Sequence, residues 1–348
     1  MILAGDVGGT KTHLGIFKCE GNKVTSLIDK KYDSKNYKSF EDLVREFLAK
    51  SPLKGEDKFI GVACFGMAGP VKTDKDGKRA CQMTNIEWPV IKEESLRQWL
   101  NNELSQERGK VERVVLLNDL EAIGYGISQL SAGDLVELNR GIPQNGNRAV
   151  IAAGTGLGQV MLYWNGNEHH PSPSEGGHAN FAPSGDDELQ IDLLCYLRKK
   201  FDNKVGFERA LSGHGLVNIY EFLRESGKCG KESTELRKRL DKEDAAQVIS
   251  ETALTNKNTL CTKALDVFVS IYGAATGDLA LHYFAVGGVY IGGGIAPKIL
   301  DKLRDGTFMR AFKAKEGNSA ELNVSMPVKV IKNPEVGLLG AAWRGVKT

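Results

Sequence analysis

The chain has 348 residues, 41% of them hydrophobic and 26% charged; this length suggests about two domains, and the composition is that of a soluble globular protein. Disordered chains and coiled coils are excluded, and Lys plus Arg (46) against Asp plus Glu (44) leaves a formal charge of +2, without the concentrated basic face that nucleic acid requires. Glycine is the outlier: there are 40, where the usual ~7% would give about 24.

Residues 1–7 and 13–17 read as two strands around a Gly-Gly turn. Phe40, Leu43, Val44, Phe47 and Leu48 recur at i, i+3, i+4, i+7 and i+8, one face of a helix. A strand over 59–65 follows, then a helix marked by Leu96, Trp99, Leu100 and Leu104, then a continuous apolar strand over 111–117 of the buried, parallel-sheet type. Asn118-Asp119 and a helical stretch come directly after it. Asn139–Arg148 reads as a loop, and a second glycine turn lies between strands at 149–153 and 159–164. Ile2–Thr10 and Val150–Gly158 both run strand, Gly/Thr turn, strand, which suggests two related halves about one domain length apart. Beyond it the spacing is helical over 187–201, 216–226, 244–255, 260–284 and about 335–345, and Gly292-Gly293-Gly294 closes an apolar run from Val286.

No basic or apolar leader pattern opens the chain, so no signal peptide is expected. No uninterrupted apolar run reaches about 18 residues, so no membrane helix is expected. Cys19, Cys64, Cys81, Cys195, Cys229 and Cys261 share no C-x-x-C spacing and are expected to be reduced core residues of a cytoplasmic protein.

A turn that receives phosphate needs converging backbone N–H groups and little side-chain bulk. Gly8-Gly9-Thr10-Lys11 and Gly154-Thr155-Gly156 meet this, each with a hydroxyl beside the glycines, and Lys11 adds a point charge. Asp6, at the end of the first strand, is placed to hold Mg²⁺ through water. The plainer reading of any one of them is a tight hairpin turn. Walker and Rossmann spacings are absent.

Asn118-Asp119 stands at the C-terminal end of a buried strand, the edge where open α/β sheets bind ligands. Helix capping accounts for the same two residues. A carboxylate there can take the proton of a hydroxyl that attacks a γ-phosphate, as Asp119 would. In Glu175-Gly176-Gly177-His178 two glycines form a turn able to aim an acid and an imidazole the same way, with a surface loop or a metal site as the alternatives. His169-His170-Pro171 reads as a polar loop, and Glu208 on spacing alone as a solvated helix residue. Asn118, Asp119, Glu175, His178 and Glu208 contain no cation, so the set suits a neutral, hydroxyl-rich substrate.

The ordered series Leu3–Thr10, Met83–Trp88, Leu116–Asp119, Ala153–Gly158, Glu175–Pro183, Glu208–Gly213, Gly287–Ile295 and Gly337–Gly340 resembles the bacterial-type glucokinase family, within the sugar kinase, heat-shock chaperone and actin superfamily. The resemblance covers essentially the whole chain. It implies an α/β protein of two ribonuclease-H-like (actin-like ATPase) domains with a central ligand cleft: residues 1–117 plus 335–348 as the smaller, 118–334 as the larger. It implies ATP and Mg²⁺, with phosphorylation of D-glucose at the 6-hydroxyl as the first step of glycolysis. Asp119 would be the general base; Asn118, Glu175, His178 and Glu208 would hold sugar hydroxyls, with Asn85 lining the same cleft. Gly5, Asp6, Val7, Gly8, Gly9, Thr10, Lys11, Gly154, Thr155, Gly156, Gly293 and Gly294 would contact phosphates and adenosine. A cytoplasmic homodimer without nucleic-acid or membrane partners is expected. Lys11 departs from the Asn usual in this pattern and is similar to the broader group of repressors and sugar kinases; the zinc-binding cysteine cluster of that group is not carried over. The rival readings are a kinase for mannose or an N-acetylhexosamine, an actin-like ATPase without a sugar substrate, and a sugar-sensing repressor.

Overall fold

The computed structural model describes residues 1–51, 59–104, 109–184, 188–227 and 229–347. The chain divides into two compact units, Met1–Ala132 with Asn333–Thr348, and Gly133–Lys332.

The first unit is built on a sheet of β1 (Ile2–Val7), β2 (Lys11–Glu20), β3 (Lys23–Asp33), β4 (Val62–Met67) and β8 (Arg113–Asn118), in the order β3-β2-β1-β4-β8. β1, β4 and β8 are parallel; β2 and β3 are antiparallel additions. A second small sheet holds β5 (Val71–Thr73), β6 (Arg79–Cys81) and β7 (Ile91–Lys92). Side chains alternate across the main sheet with period 2. Leu3, Val7, Leu14, Phe65 and Leu116 join one core with α1 (Phe40–Ala49) and α2 (Glu93–Glu103). Ile2, Ala4, Cys64, Val115 and Leu117 face the other core. The apolar stripe expected on α1 is wholly buried, and Ser39 caps the helix by accepting from the Asp42 N–H at 3.1 Å.

The second unit repeats the plan. β9 (Leu135–Asn139), β10 (Arg148–Ala153), β11 (Leu157–Trp164), β12 (His169–Ser174), β13 (Val289–Gly292) and β14 (Val328–Ile331) are ordered β12-β11-β10-β13-β14-β9. The five strands from β12 to β14 match β3 to β8 in order and direction, and β9 adds an antiparallel edge. The two related halves expected from the glycine turns are therefore present as topology. Helices α4 (Glu188–Lys200), α5 (Gly213–Ser226), α6 (Thr234–Leu240), α7 (Ala245–Leu254), α8 (Thr259–His282), α9 (Leu300–Arg304), α10 (Thr307–Lys313) and α11 (Asn318–Ser325) complete the unit. α8 is long and apolar enough to cross a membrane, but 78% of its most apolar window is buried inside the unit, as a core helix.

The chain then returns to the first unit as α12 (Val336–Val346), whose Leu338, Ala341 and Ala342 pack with Ala122 of α3 (Asp119–Gly126) on the second face of the sheet. This moves the expected division. Residues 118–132 belong with the first unit, because α3 leaves β8 directly and packs on α12.

Other expectations change in detail. The 59–65 strand starts at Val62, and Phe59 is exposed. The strand at 13–17 extends to Lys11–Glu20. The 139–148 loop is bounded by β9 and β10, and residue 187 of the expected 187–201 helix lies outside the described residues. His169-His170-Pro171 is not a loop but part of edge strand β12, where proline is tolerated. All six cysteines are free; Cys64, Cys81 and Cys261 are buried as expected, but Cys19 and Cys195 are exposed.

Candidate active site

In the first unit the candidates collect along the C-terminal edge of the parallel strands. Val7, Met67 and Asn118 are partners in one row across β1, β4 and β8. Asp6 and Asp119 flank the ends of that row, about two strand spacings (roughly 10 Å) apart across the sheet. The Gly8–Thr10 turn is closed by the Gly8 N–H donating to the Lys11 carbonyl at 3.0 Å. Ser34 braces it from outside: its hydroxyl donates to the Gly8 carbonyl at 2.6 Å, and its N–H donates to the Thr10 carbonyl at 2.9 Å. Thr10 and Lys11 are exposed. A Cβ on Gly9 would stand 2.8 Å from the Asn85 carbonyl oxygen, so Asn85 packs directly on the turn. Gly5 and Val7 contribute differently from expectation. Space at Gly5 is filled by Leu14 and Phe65, and Val7 is wholly buried, so the side-chain positions of both belong to the core and only their backbone reaches the edge.

Burial pushes the Asp6 carboxyl above the ordinary carboxylate range, and His13, its cross-strand partner on β2, offsets this in part. The first turn of α12 lies against it, since a Cβ on Gly337 would meet Asp6 Oδ2 at 2.9 Å. Asp6 forms no ion pair with a lysine or arginine of the described residues. A desolvated carboxylate without a cation beside a phosphate-type turn fits Mg²⁺, which takes one or two carboxylates and keeps several waters.

Asn118 is the N-cap of α3 in a complete capping box. Its Oδ1 accepts from the Leu120 N–H at 3.0 Å, and Glu121 Oε2 accepts from the Asn118 N–H at 2.9 Å. Its amide Nδ2 donates to the Gly69 carbonyl at 3.3 Å. Asp119 Oδ1 also accepts from the Leu120 N–H, at 2.9 Å, which orients the carboxylate at the start of the helix. Capping and a chemical role are thus compatible here.

In the second unit the Gly154–Gly156 turn closes with a 2.9 Å bond from the Gly154 N–H to the Gly156 carbonyl, and the Gly213 N–H at the start of α5 donates to the Gly154 carbonyl at 2.9 Å. Glu208 packs on this turn: its Oε2 accepts from the Leu157 N–H at 3.0 Å. Ser212 fixes the segment by donating to the Glu208 carbonyl at 2.8 Å while capping α5. Glu175 precedes and His178 ends a single 3₁₀ turn (Gly176–His178), with His178 Nε2 3.9 Å from Glu175 Oε2 and both side chains exposed. Glycine is required at position 177, because a Cβ there would lie 2.0 Å from the Leu157 carbonyl oxygen. The Phe207 N–H donates to the Ala179 carbonyl at 2.9 Å, which ties the Glu208 turn to the Glu175–His178 turn. Gly293 adopts φ +81° and crosses the end of β10 so closely that a Cβ would lie 2.3 Å from the Ala153 carbonyl oxygen.

Each unit therefore gathers its own candidates: Asp6, the first turn, Asn85, Asn118 and Asp119 in one, and the second turn, Glu175, His178, Glu208 and Gly293-Gly294 in the other. Sequence reasoning missed the supporting roles of three residues. Ser34 carries no motif, and Gly337 stood only as the start of a matching stretch, with no contact to Asp6 expected. Tyr272, wholly buried in α8, reaches the Ala153 N–H at 3.4 Å and the Gly292 carbonyl at 3.5 Å beneath two glycine turns, and nothing in an apolar helical pattern marks it.

The sequence pattern of the glucokinase family matches residues 3–347. The glucokinase of Nostoc punctiforme is 37% identical, with 98% of each chain covered. Among solved structures, a glucokinase from an Antarctic psychrotroph is similar with a TM-score of 0.81 at 27% identity, covering 100% of this chain and 99% of that one. A ROK family glucokinase from Streptomyces griseus, solved with glucose and AMPPNP, shares the fold with a TM-score of 0.60 at 22% identity, covering 100% and 99%. Two ribonuclease-H-like units, each with a glycine turn in its central hairpin (β1–β2 and β10–β11), define an enzyme of the actin-like ATPase fold as sugar kinases use it. The chain belongs to the glucokinase family.

Proposed function

We propose that this enzyme transfers the γ-phosphoryl group of ATP to the 6-hydroxyl of D-glucose, giving glucose 6-phosphate and ADP. The observation that carries this is full-length membership of the glucokinase family together with a cation-free set of acceptors beside the two glycine turns. The Streptomyces relative, solved with glucose and AMPPNP, supports the same pair of substrates.

Asp119 acts as general base: its carboxylate, oriented by the Leu120 N–H, accepts the 6-hydroxyl proton as that oxygen attacks phosphorus. Asn118, Glu175, His178 and Glu208 hold the other hydroxyls, with Asn85 beside them, and paired acceptors of this kind reject a substrate that lacks the hydroxyls. Backbone N–H groups of Gly8–Thr10 and Gly154–Gly156 receive phosphate oxygens, with the Thr10 and Thr155 hydroxyls and Lys11 beside them. Gly293-Gly294 leave room for the adenosine. Asp6 holds Mg²⁺, which when bound supplies positive charge against the phosphate oxygens. The enzyme works in the cytoplasm, as a homodimer, at the opening of glycolysis.

A coupled assay for glucose 6-phosphate with Mg-ATP tests the reading, run beside mannose, fructose, N-acetylglucosamine and a no-sugar ATPase control. Turnover with glucose and little without sugar is expected. Faster turnover with another hexose would reassign the substrate, and ATP hydrolysis indifferent to every sugar would refute the kinase.

A further inference from the structure

One cavity lies away from the residues considered so far as ligand sites. It has a volume of about 440 Å³, lies wholly within the second unit, and opens between α8, α9 and α10. Lys263, Asp266 and Ser270 line it from α8, Lys302 from α9, and Thr307 and Arg310 from α10. No residue of the three glycine turns lines it, nor do Glu175, His178 or Glu208.

Its charge is unusual for a protein whose overall charge is near balance. Lys302 is already neutralised, since it pairs with Asp266 and, at 2.5 Å, with Asp305. Among the described residues, Lys263 and Arg310 form no ion pair. The Arg310 guanidinium is held by one neutral partner, donating through Nη2 to the Thr307 hydroxyl at 3.0 Å. Two cations without a counter-charge among the described residues thus face one cavity together with the Ser270 and Thr307 hydroxyls. A planar guanidinium next to a point-charge ammonium is the pairing that receives a phosphate, by forked hydrogen bonds from one and Coulomb attraction from the other. The hydroxyls suit a ligand with hydroxyls of its own. No aromatic side chain is among its described lining residues, so none of them would stack a purine or pyrimidine base.

We propose that this cavity binds a phosphorylated sugar of hexose size, with the phosphate between Lys263 and Arg310 and the sugar hydroxyls on Ser270 and Thr307. The site is separate from the catalytic residues proposed above and would let a phosphorylated product of sugar metabolism act on the enzyme without occupying the glucose site. Asp266 is the one acidic residue among its described lining residues, paired with Lys302 and so kept from opposing the phosphate at full strength.

The test is isothermal titration of the full chain with glucose 6-phosphate, glucose 1-phosphate, inorganic phosphate and AMP, in saturating glucose and AMPPNP so that the proposed catalytic site is filled. A hexose phosphate should bind more tightly than inorganic phosphate or AMP. The double variant Lys263→Gln, Arg310→Gln should bind it at least about tenfold more weakly, since two charge-assisted contacts are lost, with kcat for glucose unchanged. Asp266→Asn should bind it more tightly, a direction that mere disturbance of the fold would not produce. Absence of hexose-phosphate binding to the unaltered enzyme, equal binding by the double variant, or AMP binding as tight as the hexose phosphate would overturn the proposal. The readout is binding alone, so a failure of the glucokinase reading would show instead as missing sugar phosphorylation with this binding intact.

Discussion

Glu208 Oε2 accepts from the Leu157 backbone N–H at 3.0 Å, so one carboxylate of the candidate sugar set also holds the second glycine turn. Glu208→Ala should then act twice. Loss of an acceptor raises KM for glucose, and the Leu157 N–H is left without its partner at a cost of about 1–3 kcal/mol in stability. Glu208→Gln keeps an oxygen for Leu157, so it should recover most of the stability and less of the affinity. Steady-state kinetics and thermal melts of both variants check this; an Ala variant with unchanged KM would remove Glu208 from the sugar set.

Asp119→Ala should keep glucose binding within about tenfold while kcat falls by ~10²–10⁴, the usual contribution of a general base. Titration of glucose without ATP, beside turnover, separates the two quantities. Near-native kcat would exclude the base role.

Gly340→Ala should lower stability by about 1–3 kcal/mol or more, because its Cβ would be placed 1.7 Å from the Ala122 carbonyl oxygen, between α12 and α3. The loss should appear in the thermal transition of the first unit. A melting curve identical to that of the unaltered protein would contradict this packing.

A further prediction concerns acid. Burial alone would raise the Asp29 carboxyl, but hydrogen bonds from His13 and from the Ser26 hydroxyl, each at 2.8 Å, outweigh it and hold the group below the usual carboxylate range. Because the folded value is depressed, the stabilisation is present above the unfolded value of about 3.9 and lost as pH falls through the folded one. Asp29→Asn should cost under about 1 kcal/mol at neutral pH, the pair being partly open to solvent, and nothing in strong acid. Melting temperatures from pH 7 downward test it: the difference between the two proteins should close below about pH 4. A difference independent of pH would show that the charge of Asp29 carries none of it.

The parts of the fold that could be read from the chain are those where one local rule decides. Strand, glycine turn, strand is visible at Ile2–Glu20 and at Arg148–Trp164 because turns without side chains are rare, and α1 is visible because its five apolar residues keep one helical face. The edge strands were hidden for physical reasons. β3 carries Lys23, Lys30 and Lys31 and is mostly exposed, and β12 places Pro171 and Pro173 where an interior strand would not tolerate them. The candidate site divides the same way. Asn118-Asp119 and Glu175–His178 stood out by residue type and spacing, whereas Glu208 was weak on spacing alone and was raised by the resemblance. Its contact with Gly156 and Leu157 joins positions some fifty residues apart, which no local pattern encodes. Gly5 and Val7 were legible as part of a motif, but which way each faces depends on Leu14 and Phe65 across the sheet.

The first unit is interrupted by the whole of the second, and α12 closes the core formed by Ile2, Cys64 and Leu117. On the ribosome the second unit, one continuous stretch, emerges complete before that core has its covering helix. The N-terminal sheet must therefore wait through about two hundred residues of synthesis with one apolar face open, and is during that interval the part of the newborn chain most in need of a chaperone.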